Sequence, residues 1–214
     1  MAIKVWLISH AANAALKAGV FGAASGDDDD IEIDVARLLD ARAVEAVEAW
    51  RTRWAALIDG SGESDESRRS APRALTSPAA IARASAAAAG FDARIDHALS
   101  DTAYGAWSGR RLIDIAQETP DALAAWTRDP AFQPPGGGES FEAVRERVSA
   151  WLDALPDAHA DASLVAFTHA SVIRAAVLHA LDAPSAAFRQ LEIAPLSVTQ
   201  LRRTSSGWVW VAPT

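Results

Sequence analysis

Apolar and polar positions along the chain switch period several times, and each switch marks a change of element. Ile3 to Ser9 mixes alternating and continuous apolar character, as a strand buried on both faces does. The alanine-rich stretch from Ala11 to Val20 reads as helix, and "GAASGDDDD", residues 22 to 30, as a loop by its glycines and charge. From Val35 to Ile58 apolar residues recur at three- and four-residue spacing, predicting one long amphipathic helix. Residues 59–73 are polar and rich in glycine and serine, a mobile surface loop. We read that loop as an insertion rather than a linker, because the short strand after it, Ala74 to Thr76, needs partners from elsewhere. A helix is predicted from Ser77, with Pro78 in its first turn where a missing N–H costs nothing. Leu112 to Trp126 is helical and interrupted at Pro120, and "QPPGGGES" is a rigid turn into a helix from Phe141 to Leu155, capped by Ser140 or Glu139. Leu164 to Phe167 is a strand, Ser171 to Leu181 a helix, and Val198 to Arg202 and Trp208 to Val211 are closing strands. Strands alternating with helices predict a single α/β domain over residues 1–214, with a mostly parallel central sheet in a three-layer α/β/α arrangement.

Composition narrows the function classes. A chain of 214 residues can bury a core that needs no staples. It has no cysteine, which excludes disulfides, thiolate zinc sites and cysteine nucleophiles. A formal charge of −8 argues against a nucleic-acid partner, which requires basic surface. No segment approaches the ~20 apolar residues that span a bilayer, and no basic stretch leads into an apolar one at the N-terminus. The expectation is a soluble cytoplasmic protein without a membrane partner; oligomeric state is not fixed by the sequence. Eight tryptophans against one tyrosine are read as core packing.

Candidate chemistry sits at two junctions. In "KVWLISHAANAAL" His10 follows the first apolar run, and in "SLVAFTHASVIRAAVLHAL" His169 follows another, each where a strand gives way to a helix. In an open α/β sheet, residues just past the carboxyl ends of strands line the ligand crevice. Either histidine alone reads as a hydrogen-bonded structural residue. Together they can do nucleophilic work, one ring attacking while the other holds the transferred group. His97, His159 and His179 show no paired ligand spacing and are assigned to surface or helix packing, so no metal site is predicted from histidines. The acidic run "DDDDIEID", residues 27 to 34, reads as a solvated loop, with a hard-cation site or repulsion of anions as functional alternatives.

Five segments, in order, resemble the histidine phosphatase superfamily, which includes the phosphoglycerate mutases and many phosphomonoesterases. "LISHAAN" lies where that family carries Arg-His-Gly after its first strand; "TSPAAIARASAAA" is similar to its Ser-Pro helix start. "LSDTAYGAWSG" resembles its acid-bearing segment, "GGESFEAVRERV" its Gly-Glu-Ser turn, and "FTHASVIRAAV" its second-histidine motif. The resemblance implies a phosphoglycerate mutase-like fold and phosphomonoester hydrolysis without a cofactor. His10 would be the nucleophile that becomes phosphohistidine, His169 the partner that hydrogen-bonds the phosphoryl group, and Asp101 the acid, where the family has glutamate. Ser9, Asn13, Lys17 and Ala170 would contact the substrate, a small phosphorylated molecule or phosphate-like anion. Arg174, five residues past His169, would buttress the second helix.

Two departures stand out. Ser9 occupies the place of the arginine before the first histidine, and the second clamp arginine falls on Ile81. Arg83 is two residues further, about 200° round a helix. Losing one charge-stabilising donor costs roughly 10²–10³ in rate, and losing two costs ~10⁴ or more, without strict additivity. The expectation is a divergent phosphatase of impaired activity that binds phosphate weakly, or a non-catalytic binding or scaffold protein that retains the pocket.

Overall fold

The apolar runs become central strands because both of their faces find a helical layer to cover them. The computed structural model describes residues 3–22, 34–58, 72–155 and 163–212; the acidic run up to residue 33, loop residues 59–71 with Arg68 and Arg69, and His159 lie outside these. Among the described residues one sheet is built from β1 (Lys4–Ser9), β2 (Arg73–Thr76), β3 (Arg94–Ile95), β4 (Ser163–Thr168), β5 (Val198–Thr204) and β6 (Gly207–Val211). Their spatial order is β3-β2-β4-β1-β5-β6. The first four of these positions run parallel, and β5 and β6 close one edge antiparallel. The sheet is mostly parallel, as the alternation of strands and helices predicts.

The pleat sends alternate β1 side chains to opposite layers. Val5 and Leu7 join Leu164 and Ala166 against α7 (Phe141–Ala154) and α8 (Ala170–Ala180), where Val148, Leu152 and Ile173 are buried. Trp6 and Ile8 join Val165 and Phe167 against α3 (Ala41–Ile58) and α4 (Ala80–Ala88), with Val47, Trp50 and Ala84. A third, separate cluster packs Phe21, Trp107 and Ile115 with Tyr104, Trp126 and Phe132. Packing thus accounts for Trp6, Trp50, Trp107, Trp151 and Trp208, which are buried, while Trp210 is exposed.

Local chemistry corrects several boundaries. The helix expected over residues 11–20 is a single turn, α1 (Ala14–Lys17), capped by the Asn13 side chain and followed by Gly19 at φ +63°. The helix expected from 35 to 58 is two, α2 (Val35–Leu38) and α3, because Asp40 caps the second through the Ala43 N–H at 2.8 Å. Periodicity is indifferent to such a break; a cap is not. Helix α4 begins at Ala80, so Ser77 and Pro78 precede it. Arg73, assigned to the loop, opens β2, and β3 was too short for pattern to find. Pro120 separates α5 (Leu112–Glu118) from α6 (Pro120–Arg128) and opens the latter.

One close backbone contact fixes the acid-bearing segment. Gly105 has φ +55°, and a Cβ there would lie 2.4 Å from the Pro135 carbonyl oxygen and 2.8 Å from the Gly138 nitrogen. Both obstacles are backbone and cannot swing aside. Gly105→Ala is therefore expected to cost about 3 kcal/mol or more, from strain and overpacking together. Urea unfolding would measure it, and a loss below about 1 kcal/mol would show the two segments free to separate.

Candidate active site

The site is built where β1 and β4 end side by side. Ser9 pairs with Thr168 in parallel register, so the next residue on each strand is a histidine. The His10 N–H donates to the Thr168 carbonyl at 2.9 Å, extending the ladder by one rung. The two rings then meet edge to face, with centroids 5.0 Å apart and planes at 66°. The His10 Nδ1 lies 2.8 Å from the Ala11 carbonyl oxygen, which can only accept. Nδ1 therefore carries the proton, and the Nε2 lone pair is left for chemistry.

His169 stands at the N-cap position of α8, with no capping bond from its side chain, and is 4 % exposed. Its Nε2 lies 2.8 Å from Ser77 Oγ, and that oxygen already accepts the Ala79 N–H at 3.2 Å. The Ser77 hydroxyl is thus placed to donate its proton to Nε2, which assigns the ring hydrogen to Nδ1. That Nδ1 is buried without a hydrogen-bond partner and is 3.5 Å from Asp101 Oδ2, too far for a hydrogen bond. Burial pushes the His169 pKa down to about 4; the Asp101 carboxylate opposes this, and His10 and Arg147 add to it. The ring is neutral near pH 7, with one N–H unspent.

Asp101 borders the same space. Its Oδ1 accepts the Thr102 N–H at 2.8 Å and the Ser171 hydroxyl at 2.7 Å, which leaves Oδ2 to face the ring. A Cβ on Gly22 would sit 3.4 Å from Oδ2, so the glycine keeps that side clear. Tyr104 next to it is partly buried, and desolvation and the Asp101 charge hold its phenol well above its ordinary pKa. The segment carrying Asp101 is held from behind by Arg147, which donates to the Ala98 and Ser100 carbonyls at 2.7 and 3.2 Å and to both Glu139 oxygens. Glu139 is thereby committed to Arg147, and Ser140 caps α7 by accepting the Ala143 N–H at 3.1 Å.

The remaining candidates are distributed as follows. Ser9 is buried at the strand end, with its N–H on the Ser197 carbonyl and its carbonyl accepting from Leu196. Asn13 Oδ1 accepts the Leu16 N–H at 2.9 Å. The Lys17 ammonium donates to Asp40 at 2.7 Å, an exposed pair. Ala170 is the first residue of α8. Ile81 packs against the α3/α4 core cluster. Arg174 donates from Nε to the Leu191 carbonyl at 2.8 Å. Pattern reading missed Ser77 as the partner of His169, Ser85, and Arg147 as a hub. The Ser-Pro pair was an available signal for Ser77, whereas Ser85, a lone hydroxyl amid alanines in a helix, offered almost none.

Comparison with known proteins gives one consistent picture. The sequence profile of the histidine phosphatase superfamily (branch 1) matches residues 66–214. The bifunctional protein Rv2228c of Mycobacterium tuberculosis is 32% identical over 117 residues, which is 54% of this chain and 32% of that protein. The matched region thus spans about a third of the curated relative's length. The crystal structure of the alpha-ribazole phosphatase from Shigella flexneri aligns with TM-score 0.73 at 19% identity, over 97% of this chain and 94% of the other. The mycobacterial glucosyl-3-phosphoglycerate phosphatase Rv2419c aligns with TM-score 0.68 at 20% identity, covering 99% and 97%. Its complex with VO3 aligns with TM-score 0.69 at 22% identity, covering 97% and 96%. At these identities the structural likeness concerns the fold alone.

The neutral state of His169 has a measurable consequence. Its pKa is about 4 in the fold against the ordinary 6.5, so between these values the unfolded chain binds a proton that the folded chain does not. The folded state is then fully favoured above pH 6.5 and loses stability as the pH falls toward 4, by about 3 kcal/mol in all. His169→Gln is expected to remove that part of the pH dependence. Parallel stability curves for both proteins, from urea unfolding across this range, would contradict it.

Proposed function

The chain belongs to the histidine phosphatase superfamily, and from that membership and the site geometry we propose a phosphomonoesterase of low intrinsic activity that works through a phosphohistidine. The observation that carries this reading is the pair of imidazoles, centroids 5.0 Å apart, one with a free Nε2 lone pair and the other with an unspent buried N–H. His10 Nε2 attacks phosphorus in line and the phosphorus–oxygen ester bond breaks. The leaving oxygen takes a proton from the acid form of Asp101. Water then attacks the phosphohistidine and gives its proton to Asp101, which frees phosphate and restores the Nε2 lone pair. The His169 Nδ1–H donates to a non-bridging oxygen throughout, where charge accumulates. Ser9, Asn13, Ala170 and Lys17 are carried in this reading as contacts for the rest of the phosphate, Lys17 only if it leaves Asp40. Nitrogen nucleophile, donor and acid all come from the chain, so the reading calls for no metal or cofactor.

The substrate class is a small phosphorylated molecule of the cytoplasm. Support comes from the neighbours: an alpha-ribazole phosphatase and a glucosyl-3-phosphoglycerate phosphatase share the fold, and the latter has been solved with VO3. Binding is weak in this reading, in the millimolar range by order of magnitude. No arginine stands at 9 or 81, and the Lys17 ammonium is engaged by Asp40. The same observation favours a second reading, a binding protein that keeps the pocket and has given up turnover.

Restoring the clamp separates the two. Ser9→Arg combined with Ile81→Arg is expected to raise hydrolysis of an aryl phosphate by roughly 10²-fold or more, with each single change doing much less, because two donors hold one dianion. An aryl leaving group makes little demand on Asp101, so the test isolates the clamp. Adding His10→Ala should abolish the gain. Ile81 packs against an apolar cluster, so thermal unfolding must first show the double variant folded. A folded double variant with no gain favours the binding protein.

A further inference from the structure

We infer that Ser85 is a positioning residue for His10, holding the ring in the tautomer that can attack; the inference rests on the reading of His10 as the nucleophile. Ser85 lies on α4 and is 0% exposed, a hydroxyl in a helix otherwise rich in alanine. Its Oγ donates to the Ile81 carbonyl one turn back at 2.7 Å, a bond that any buried helical serine can make. It also does something a helix does not require. Across 74 positions of sequence it accepts the Ala11 N–H at 2.9 Å.

Ala11 needs that acceptor. The strand ladder ends with the His10 N–H on the Thr168 carbonyl, and Ala11 is fully buried, so its own N–H has no sheet partner. Ser85 supplies one, and His10 is thereby pinned on both sides, through its own amide and through the next. The backbone so fixed presents the Ala11 carbonyl to the ring, 2.8 Å from Nδ1. A free imidazole in water prefers its proton on Nε2, the nitrogen that must attack. A carbonyl fixed beside Nδ1 reverses that preference, because it can only accept. The Ser85 hydroxyl, by donating to the Ile81 carbonyl while accepting from Ala11, also ties the end of β1 to the α4 turn that bears residue 81.

The test uses the full chain labelled with nitrogen-15 in histidine. Long-range proton–nitrogen correlation at a pH above the ordinary imidazole pKa of about 6.5 reads the tautomer directly. The native protein should show His10 protonated on Nδ1. Ser85→Ala should shift the ring mainly to the Nε2–H form, and Ser85→Thr, which keeps a hydroxyl, should restore it. Ser85→Cys keeps the volume but offers only a weak acceptor, and should behave as alanine does. A second reading is the rate at which diethyl pyrocarbonate modifies His10, mapped by mass spectrometry. It should fall about fivefold or more in the alanine and cysteine variants, in proportion to the competent tautomer, and stay native in the threonine variant. If Ser85→Ala does not fold, the cysteine and threonine variants carry the same contrast. Native tautomer and native reactivity in a folded Ser85→Ala or Ser85→Cys protein overturn the inference. Phosphatase activity with a His10 indifferent to Ser85 sinks this inference alone, whereas a Ser85-dependent tautomer in a chain that hydrolyses no phosphate ester sinks only the proposed reaction.

Discussion

The parallel pairing of β1 with β4 is the constraint on which the site depends. Six residue pairs, from Lys4 with Ser163 to Ser9 with Thr168, hold the strands in one register. A slip of one residue would turn Val5 and Leu7 toward the wrong helical layer and separate the imidazoles at the same stroke. The register is protected by the burial of both faces of β1, since Val5 through Ser9 are all buried. The geometry of the histidine pair is therefore a by-product of core packing, and it costs the fold nothing further until the rings themselves are desolvated.

That desolvation gives the site its character. A buried His169 is neutral near pH 7, and positions 9 and 81 offer a hydroxyl and an alkyl group. Lys17 and Arg147 are each matched to a carboxylate. In the proposed reading, recognition of a phosphoryl group then falls on hydrogen bonds rather than on fixed charge, first among them the unspent Nδ1–H of His169. Phosphoryl transfer is catalysed mostly by positioning and charge stabilisation. In the proposed reading positioning is kept and charge stabilisation is thin, which is the physical ground for expecting slow turnover from an ordered pocket.

The sequence made the two histidines legible for a simple reason. Buried parallel strands read as apolar runs, and ligands gather where such runs end. Asp101 was legible only through the resemblance of its segment, since a lone aspartate in a loop carries no periodicity. Breaks between elements were less visible: Asp40 interrupts a helical pattern by capping, and its hydrophobic spacing continues undisturbed on either side. Lys17 has the right charge near His10, but its pairing with an aspartate 23 residues away is a tertiary fact. Ser85 was least legible of all. Its importance comes from a contact across 74 residues, and a serine among alanines reads only as helix-permissive.

A phosphoryl group in transit should be carried on His10. The direct measurement is an alkaline quench of the full chain during turnover of a radiolabelled aryl phosphate, followed by peptide mapping. The expected result is a base-stable, acid-labile label on the peptide containing His10, lost in His10→Ala and accumulating when the water-attack step is slowed by Asp101→Asn. Hydrolysis that proceeds without any label on His10, or a label found on His169, would contradict it.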